Sequence, residues 1–239
     1  WKKVRAAIKV NCIAKNHPRI AVVNKVCLEL NKLGVSFPNI VIYDGTHNAL
    51  PLYGPYVGAG LPQGVVVSEK HRQLGGTIEL ATPDPLPGSY KCSKAVADGT
   101  IDILVNIAVN KGHSESLGKT TLTLKNHAGT FDPRPIHSGG GLNYILALNK
   151  SDAFWGGEIV RQQLCIVDSL WASVDGPFAA PDTRLNRLVM GTFSGAVDYL
   201  TAKKVREPLL KARHKHVERF VTDFGYREED LGDLVTVVV

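Results

Sequence analysis

The first 43 residues carry the pattern that most restricts the fold: a buried strand, a helix and a second buried strand. We predict a strand at residues 4–12 (VRAAIKVNC), a helix at 19–33 and a strand at 39–43 (NIVIY). Asn16 can cap the helix, Pro18 suits its first turn, and Gly34 suits its end. A strand, a helix and a strand within about 40 residues form a βαβ unit, which predicts a largely parallel sheet with a right-handed crossover.

The rest of the chain extends this unit. Residues 101–110, 164–168 and 188–192 are predicted to be further buried strands, and 142–149 to be helical. A last helix is predicted from apolar residues at helical spacing after Pro208, ending before Gly225. Residues 47–99 are rich in Gly and Pro, with strand-like runs at 64–68 and 75–80, and predict an irregular excursion or antiparallel flap that could cover a site. We therefore expect one α/β domain over residues 1–239, with a mostly parallel central sheet and helices on both faces.

Composition excludes few classes of function. The chain of 239 residues can bury a full core in one large α/β domain, and its 44% hydrophobic and 21% charged residues are typical of globular proteins. No apolar run approaches the roughly 18 residues that could span a membrane. The net charge of +6 favours acidic partners, but the basic residues are scattered. Residues 211–216 (KARHKH) fit a solvated helix face better than a nucleic-acid patch, because no aromatic residues are interleaved with them.

The four cysteines, at positions 12, 27, 92 and 165, do not form a metal motif. Their spacing lacks the patterns of iron–sulfur, haem and structural zinc sites. Cys27 and Cys165 fit the core, Cys12 could line a site after the first strand, and a Cys12–Cys92 disulfide is left open. The chain starts at Trp1 without a methionine, which we interpret as a mature product cut from a precursor or as a recombinant fragment, so that any leader is missing from it.

Polar residues follow the predicted strands and predict where the protein acts. If the strands are all parallel, these residues collect at one edge of the sheet, where α/β proteins bind ligands. The most informative stretch is 101–129, in which a buried strand ends at Asn110 and a second polar cluster follows residues 122–124. The residues after the strands are Asn11, Asp44, Lys111 with His113, Asp168 and Thr192, and the second cluster is Lys125, Asn126 and His127.

These residue types favour an anion or a metal. Lys111 and Lys125 would supply positive charge to a carboxylate or phosphate. His113, His127 and His137 could bind a metal or shuttle protons, although for each histidine alone a structural or surface role is favoured. Asp44 and Asp168 could act as a base or as ligands, or could simply cap the next helix.

Common catalytic motifs are missing. The sequence has no phosphate-binding P-loop, no dinucleotide fingerprint and no Gly-x-Ser-x-Gly elbow. Residues 139–141 (GGG) could let backbone amides approach an anion or could be a flexible loop.

Six segments carry a resemblance to a known family. In chain order they are IKVNC with a following HP, NIVIYDGT, VNIAVNKGH, LTLKN with Gly129, CIVDSLWASVDGP and LVMGTFSGAVDYLTAK. The K-x-H and LKN pair is the most specific of them. Together they span most of the chain, which resembles the bacterial and archaeal family catalogued as domain of unknown function 362, and most of all its members exported with a twin-arginine leader.

The resemblance implies a periplasmic or extracellular location and gives no agreed activity. The family is sometimes associated with iron–sulfur or redox neighbours, and its architecture is loosely similar to the amino-terminal domain of nickel-dependent lactate racemases. Some members add cysteine-rich ferredoxin segments, which this chain lacks. Residues 193–198 (FSGAVD) replace a Thr-Asp-Pro-Val-Ala-like segment that commonly precedes an aspartate in the family, so Asp198 departs from that pattern.

The leading hypothesis is a site for a small anionic ligand or a metal ion at the carboxyl ends of the strands, with a redox association left open. Lys111, His113 and Asp44 are the catalytic candidates, and His113 and His127 are the metal candidates. The ligand-binding candidates are Lys125, Asn126, Asn11 and Asp168. The competing hypothesis is a non-catalytic structural or accessory subunit of a cell-envelope or extracellular assembly, or a homo-oligomer, which uses an exposed edge such as residues 234–239 (LVTVVV).

Overall fold

The computed structural model describes residues 3–154 and 161–232. Its strands are β1 (Ala6–Lys9), β2 (Ile40–Tyr43), β3 (Val66–Val67), β4 (Thr77–Ala81), β5 (Ser89–Ser93), β6 (Ile103–Val109), β7 (Lys111–Gly112), β8 (Thr120–Thr121), β9 (Gln162–Ala172) and β10 (Thr183–Gly191). Its α-helices are α1 (Ile20–Lys32), α2 (Leu50–Tyr53), α3 (Lys94–Ala97), α4 (Thr123–Asn126), α5 (Gly141–Asn149), α6 (Ser194–Leu200), α7 (Glu207–Leu210) and α8 (Arg219–Thr222).

Six strands form the central sheet, in the order β10-β9-β6-β1-β2-β3. The strands from β3 to β9 in this order are parallel to their neighbours, and β10 is antiparallel to β9. The predicted mostly parallel α/β sheet is therefore confirmed, and the strand–helix–strand unit at the start of the chain is β1, α1 and β2.

Both faces of the sheet are covered, as predicted. Side chains alternate along a strand, so neighbouring residues of β1 point to opposite faces. Ile8 packs with Val23 and Cys27 of α1 in one apolar cluster. Ala7 packs in a second cluster with α5 and α6, through residues such as Ile145 and Leu200. Because both faces of β1 pack in apolar clusters, every residue of β1 before Lys9 is apolar.

The Gly- and Pro-rich excursion divides between two sheets. The run at 64–68 supplies β3, which pairs with β2 at the edge of the central sheet. The run at 75–80 supplies β4, which pairs with β5 in a separate antiparallel hairpin. Tyr90 and Cys92 of this hairpin are buried in the same cluster as α5. The hairpin thus packs on the face of the sheet that carries α4 to α6, whereas Tyr53 and Leu61, earlier in the excursion, pack in the cluster of α1 on the opposite face.

The prediction that all five strands end at one edge was wrong for the last strand. Because β10 is antiparallel to β9, its carboxyl end lies at the edge opposite to the ends of β1, β2 and β6. Thr192 therefore does not join the other polar residues. The sequence pattern of a buried strand is the same for both directions, so only the pairing could decide this.

The predicted last helix is interrupted. Residues 194–210 are helical, but Lys211 and His216 have left-handed backbone torsions (φ 53° and 60°), and α8 starts only at Arg219. Helix stops where a residue takes this conformation. The basic run 211–216 consequently lies in this irregular segment rather than on a helix face.

All four cysteines are buried and free. Cys12 and Cys92 belong to the two opposite apolar clusters, so the open question of a disulfide between them is answered in the negative. Within the described part of the chain, no helix is long and apolar enough to cross a membrane. The segment 234–239, which was predicted as a candidate edge for assembly, lies outside the described residues.

Candidate functional site

The site lies between β1 and β6, where the strand order of the sheet reverses. From β1 the chain adds β2 and β3 on one side, and then returns to add β6, β9 and β10 on the other. Adjacent strands whose connections leave in opposite directions open a crevice at their carboxyl ends, the usual ligand site of open α/β sheets. Here those strands are β1 and β6, which are followed by Asn11 and Lys111. The structure brings these two predicted residues together.

A chain of buried side-chain amides runs from Lys111 into the protein. The Lys111 ammonium donates a hydrogen bond to Oδ1 of Asn11 (2.8 Å), and Nδ2 of Asn11 donates to Oδ1 of Asn126 (3.2 Å). Nδ2 of Asn126 donates to Oδ1 of Asn106 (2.8 Å), whose own Nδ2 donates to Gln162 (3.0 Å). Each amide accepts at its oxygen and donates at its nitrogen, so the chain has one direction. A network satisfied in this way fixes the side chains that compose it.

Asp44 closes the other side of the crevice. One carboxylate oxygen accepts from the backbone N–H of Cys12 (2.8 Å), and the other accepts from the N–H of Thr46 (3.1 Å) and lies 3.4 Å from the ammonium of Lys9. Both Lys9 and Asp44 are buried. Asp44 therefore joins the ends of β1 and β2 rather than capping the following helix, which was the alternative left open.

Glycines allow the segments after the strands to approach each other. A Cβ at Gly45 would lie 1.8 Å from the carbonyl oxygen of Gly129, and a Cβ at Gly112 would lie 2.0 Å from that of Val174. Neither distance is possible for a real side chain. The segments that carry Asp44 and Lys111 can hold their positions only because these two residues have no Cβ.

Positive charge exceeds negative charge in the crevice. Lys9, Lys111 and Lys125 lie close enough for their charges to interact, and the charge of Asp44 acts on all three. Burial, followed by the charge of Lys125, lowers the pKa of Lys111 from 10.5 to about 7. Burial, followed by the charge of Lys9, lowers the pKa of Lys125 to about 8. Near neutral pH both amines can therefore gain or lose a proton, and an anion placed between them would favour their protonated forms.

Lys125 sits on a short helical turn that a buried carboxylate holds. Asp198 accepts hydrogen bonds from the backbone N–H groups of Thr123 and Leu124, both at 2.8 Å, and from the Thr123 hydroxyl (2.6 Å). It thus satisfies the first N–H groups of α4, which carries Lys125 and Asn126. Burial raises the pKa of Asp198 to about 7. Asp198 positions the turn and lies behind it.

His113 is half-buried at the crevice and is neutral. Its Nδ1 accepts from the backbone N–H of Ser114 (2.7 Å), so the proton of the neutral ring is on Nε2. Its ring stacks on that of His137, with 5.9 Å between the centroids. Burial, followed by the charges of Lys125, His137 and Lys111, lowers the pKa of His113 to about 3. The ring can donate a hydrogen bond from Nε2 but carries no charge at neutral pH.

His127 belongs to the core, where both of its ring nitrogens have partners. Nε2 lies 2.5 Å from Oε1 of Gln162, and Nδ1 lies 3.2 Å from the hydroxyl of Thr130. The ring packs on Phe154 at 4.4 Å between centroids, and burial lowers its pKa to about 3. His127 is thus part of the buried polar network, behind Asn106, and its surroundings differ from those of His113.

Asp168 lies in the interior of β9, opposite Val109 at the end of β6. One of its oxygens accepts from the backbone N–H of Arg19 (2.9 Å), directly before α1, and lies 3.7 Å from the Arg19 guanidinium. A carboxylate at this position compensates the positive end of the helix. Asp168 does cap a helix, but it is α1 across the sheet rather than the next one along the chain.

Sequence reasoning overlooked Lys9 and Asn106. Both are fully buried and lie side by side on β1 and β6, where they pair in register. Each is a polar residue in an otherwise apolar strand, and this is the signal that could have identified them. His47, whose pKa is lowered by burial, was also overlooked. The charges of Asp44, Lys9 and Lys111 all act on it, which places it beside the crevice.

The described residues, apart from the gaps at 1–2, 155–160 and 233–239, contain no group of three or more His, Cys, Asp or Glu side chains that could hold a metal ion. The metal roles of His113 and His127 remain predictions. Comparisons with family models, with curated proteins and with solved structures found no match for this chain.

Proposed function

We propose that the protein binds a small anionic molecule in the crevice between β1 and β6, with Lys125 as its direct partner and Lys9 and Lys111 as the source of a positive field. One observation carries the proposal. The Lys125 ammonium has no hydrogen-bond or ion-pair partner among the described residues, although the side chain is only partly exposed. A half-buried charge without a partner is costly, and an anion would supply the missing partner.

The other two lysines support the same function in a different way. Lys9 is held by Asp44 and by the carbonyl oxygen of Val10, and Lys111 by Asn11 and by the carbonyl oxygen of Ile13. Their positions are fixed, and their charges face the crevice through a medium of low dielectric constant, in which they act strongly. The candidate ligand is accordingly a carboxylate or a phosphate small enough to reach between loops, and His113 can donate to it from Nε2.

Binding of simple anions tests this function. Oxalate and inorganic phosphate would be titrated into the protein by calorimetry at low ionic strength. We expect Lys125→Gln to weaken oxalate binding about tenfold or more, because a charge-assisted hydrogen bond contributes about 1.5–3 kcal/mol. Lys91→Gln removes the same charge from an exposed position on β5 and should leave the affinity unchanged. Equal affinities for Lys125→Gln and the unaltered protein would reject the proposal.

A second function, as an accessory subunit, is supported by a different surface. Among the described residues β10 is an edge strand, and it carries the exposed side chains of Leu188 and Met190. Trp171 of β9 and Phe178 of the following loop are exposed nearby in the sequence, Phe178 to 70%. Apolar side chains beside an open strand edge favour assembly. Sedimentation over a dilution series tests whether copies of the chain assemble through this edge, and a monomer at every concentration would count against assembly.

The relationship to the family catalogued as domain of unknown function 362, the periplasmic or extracellular location and the redox association remain predictions. The proposed anion site does not depend on these three predictions.

A further inference from the structure

We infer that Lys125 is a nucleophile and that the anion of the proposed site is an oxoacid, a small carboxylate with an aldehyde or ketone carbonyl, which Lys125 captures as an imine. The inference rests on the proposed anion site and adds to it the class of substrate and the bond that forms. It is carried by the difference between Lys125 and the other two lysines of the crevice.

The ammonium groups of Lys9 and Lys111 are fixed by hydrogen bonds to oxygen atoms. Each ammonium group donates to backbone or side-chain oxygens, and both side chains are fully buried. Neither amine can approach a ligand without breaking these bonds. Lys125 differs in both respects, because it is partly exposed and its nitrogen has no acceptor among the described residues. The neutral Lys125 amine therefore has a lone pair that accepts no hydrogen bond from the described residues.

The surroundings of Lys125 favour the neutral amine. Burial and the nearby ammonium of Lys9 lower its pKa to about 8, against the opposing effect of Asp44. A lysine beside another cation is a recognised arrangement of imine-forming enzymes. A site that only binds anions would gain more from a permanently charged, bidentate arginine, whereas lysine is the residue whose pKa shifts readily when it is buried.

The base of the side chain is also held in place. Asp198 fixes the N–H groups of Thr123 and Leu124, directly before Lys125, and Asn126 is fixed by the amide chain. The nucleophile thus projects from a rigid turn, close enough to Lys111 and His113 for the charge of Lys125 to lower the pKa of both. Lys111 can attract the carboxylate of an oxoacid, and Nε2–H of His113 can donate to its oxygen.

The step balances without an oxidant or reductant. The neutral Lys125 amine attacks the carbonyl carbon, and the C–N bond forms while the carbonyl oxygen takes up a proton. The resulting carbinolamine loses this oxygen as water, with both protons of the amine accounted for in the water released, and the C=N bond is formed. Hydrolysis reverses the reaction.

Reductive trapping tests the inference. The protein would be incubated with glyoxylate and sodium cyanoborohydride near neutral pH, which converts an imine into a stable carboxymethyl-amine, and the modified lysines would be located by peptide mass spectrometry. We expect Lys125 to be modified about tenfold or more faster than the exposed Lys91, because a larger fraction of it is neutral. Oxalate, which lacks a reactive carbonyl, should slow the labelling of Lys125 and leave that of Lys91 unchanged.

The variant Lys125→Arg keeps the charge but has no nucleophilic amine, so the selective adduct should disappear, while Lys91→Arg should retain it. Labelling of Lys125 no faster than that of Lys91, in protein that binds oxalate, would overturn the inference and leave the proposed function standing. Failure of the unaltered protein to bind oxalate or phosphate would instead remove the proposed function. Equal labelling of Lys125 with and without bound oxalate would also overturn the inference, because the nucleophile would then lie outside the anion site.

Discussion

The ammonium nitrogen of Lys111 lies 2.8 Å from Oδ1 of Asn11, although the two residues are 100 positions apart in the sequence. This contact joins the ends of β1 and β6, the two strands between which the strand order of the sheet reverses. It also starts the chain of buried amides that continues through Asn126 and Asn106. The same hydrogen bond therefore belongs to the fold and to the candidate site.

Asn11→Ala should destabilise the protein. The change removes an acceptor from the Lys111 ammonium and a donor from Asn126, and leaving buried polar groups unpaired costs about 1–3 kcal/mol. Urea unfolding measures the effect. Asn24→Ala, at a partly exposed position on α1, is the matched control and should change the free energy of unfolding by no more than about 0.5 kcal/mol. Equal effects of the two substitutions would show that the amide chain is not a stabilising element.

Stability should increase with pH above neutrality, because Lys111 titrates at a lower pH in the folded protein. Its pKa is about 7 in the fold and 10.5 ordinarily, so between these values the unfolded chain binds more protons. The free energy of unfolding then rises with pH in this window, and Lys125, with a lowered pKa of about 8, acts in the same direction. Comparison of the protein with Lys111→Met by urea unfolding at several pH values isolates the contribution. Parallel curves for the two proteins would contradict the prediction.

Binding of oxalate should have the opposite dependence on pH. The anion favours the protonated amines, so its affinity should fall as the pH rises through the lowered pKa values of Lys111 and Lys125. By the same linkage, binding near pH 8 should take up protons. Calorimetry in buffers of different ionisation enthalpy measures this uptake directly, and an affinity that is constant from pH 6 to 9 would be inconsistent with these lysines as the binding groups.

Asp44→Asn should separate stability from binding. The buried ammonium of Lys9 loses its carboxylate, and breaking a buried ion pair costs about 3 kcal/mol or more. The crevice becomes more positive at the same time, so oxalate should bind about threefold or more tightly. Unfolding and calorimetry measure the two effects. Asp84→Asn, at an exposed position before β5, removes the same charge and should have neither effect. Weaker oxalate binding by Asp44→Asn would indicate that the carboxylate orients the ligand.

Gly112→Ala tests the close approach beside Lys111. Its Cβ would lie 2.0 Å from the carbonyl oxygen of Val174, so one of the two segments must move. We expect a loss of about 1–3 kcal/mol, together with weaker oxalate binding, because Gly112 separates Lys111 from His113. At Gly60 the nearest atom to a Cβ would be 3.4 Å away, and Gly60→Ala should be tolerated. Thermal unfolding of both variants checks the prediction. Equal melting temperatures for the two variants would show that the segments can separate at little cost.

Local pattern was sufficient for much of the fold and for part of the site. The apolar runs around Ile8, Ile42 and Ile107 predicted strands of the central sheet, and the polar residues after them predicted which end of the sheet to inspect. Lys111, Asn11 and Asn126 do meet there, and Lys125 lies close enough for its charge to act on Lys111. Asp168 lies inside β9 rather than after it, level with the end of β6, and its carboxylate accepts from the residue before α1. His127 lies behind the crevice in the core.

The sequence by itself determined that a strand–helix–strand unit begins the chain, because continuous apolar runs and the residues that end a helix are local features of the sequence. It could not determine the direction of β10, the break at Lys211 or the partners of Asp44 and Asp198. Those depend on contacts between residues distant in the sequence. Only the tertiary structure decided that three lysines share a crevice with one carboxylate, because charges interact through space, and the energy of a buried charge depends on what lies around it.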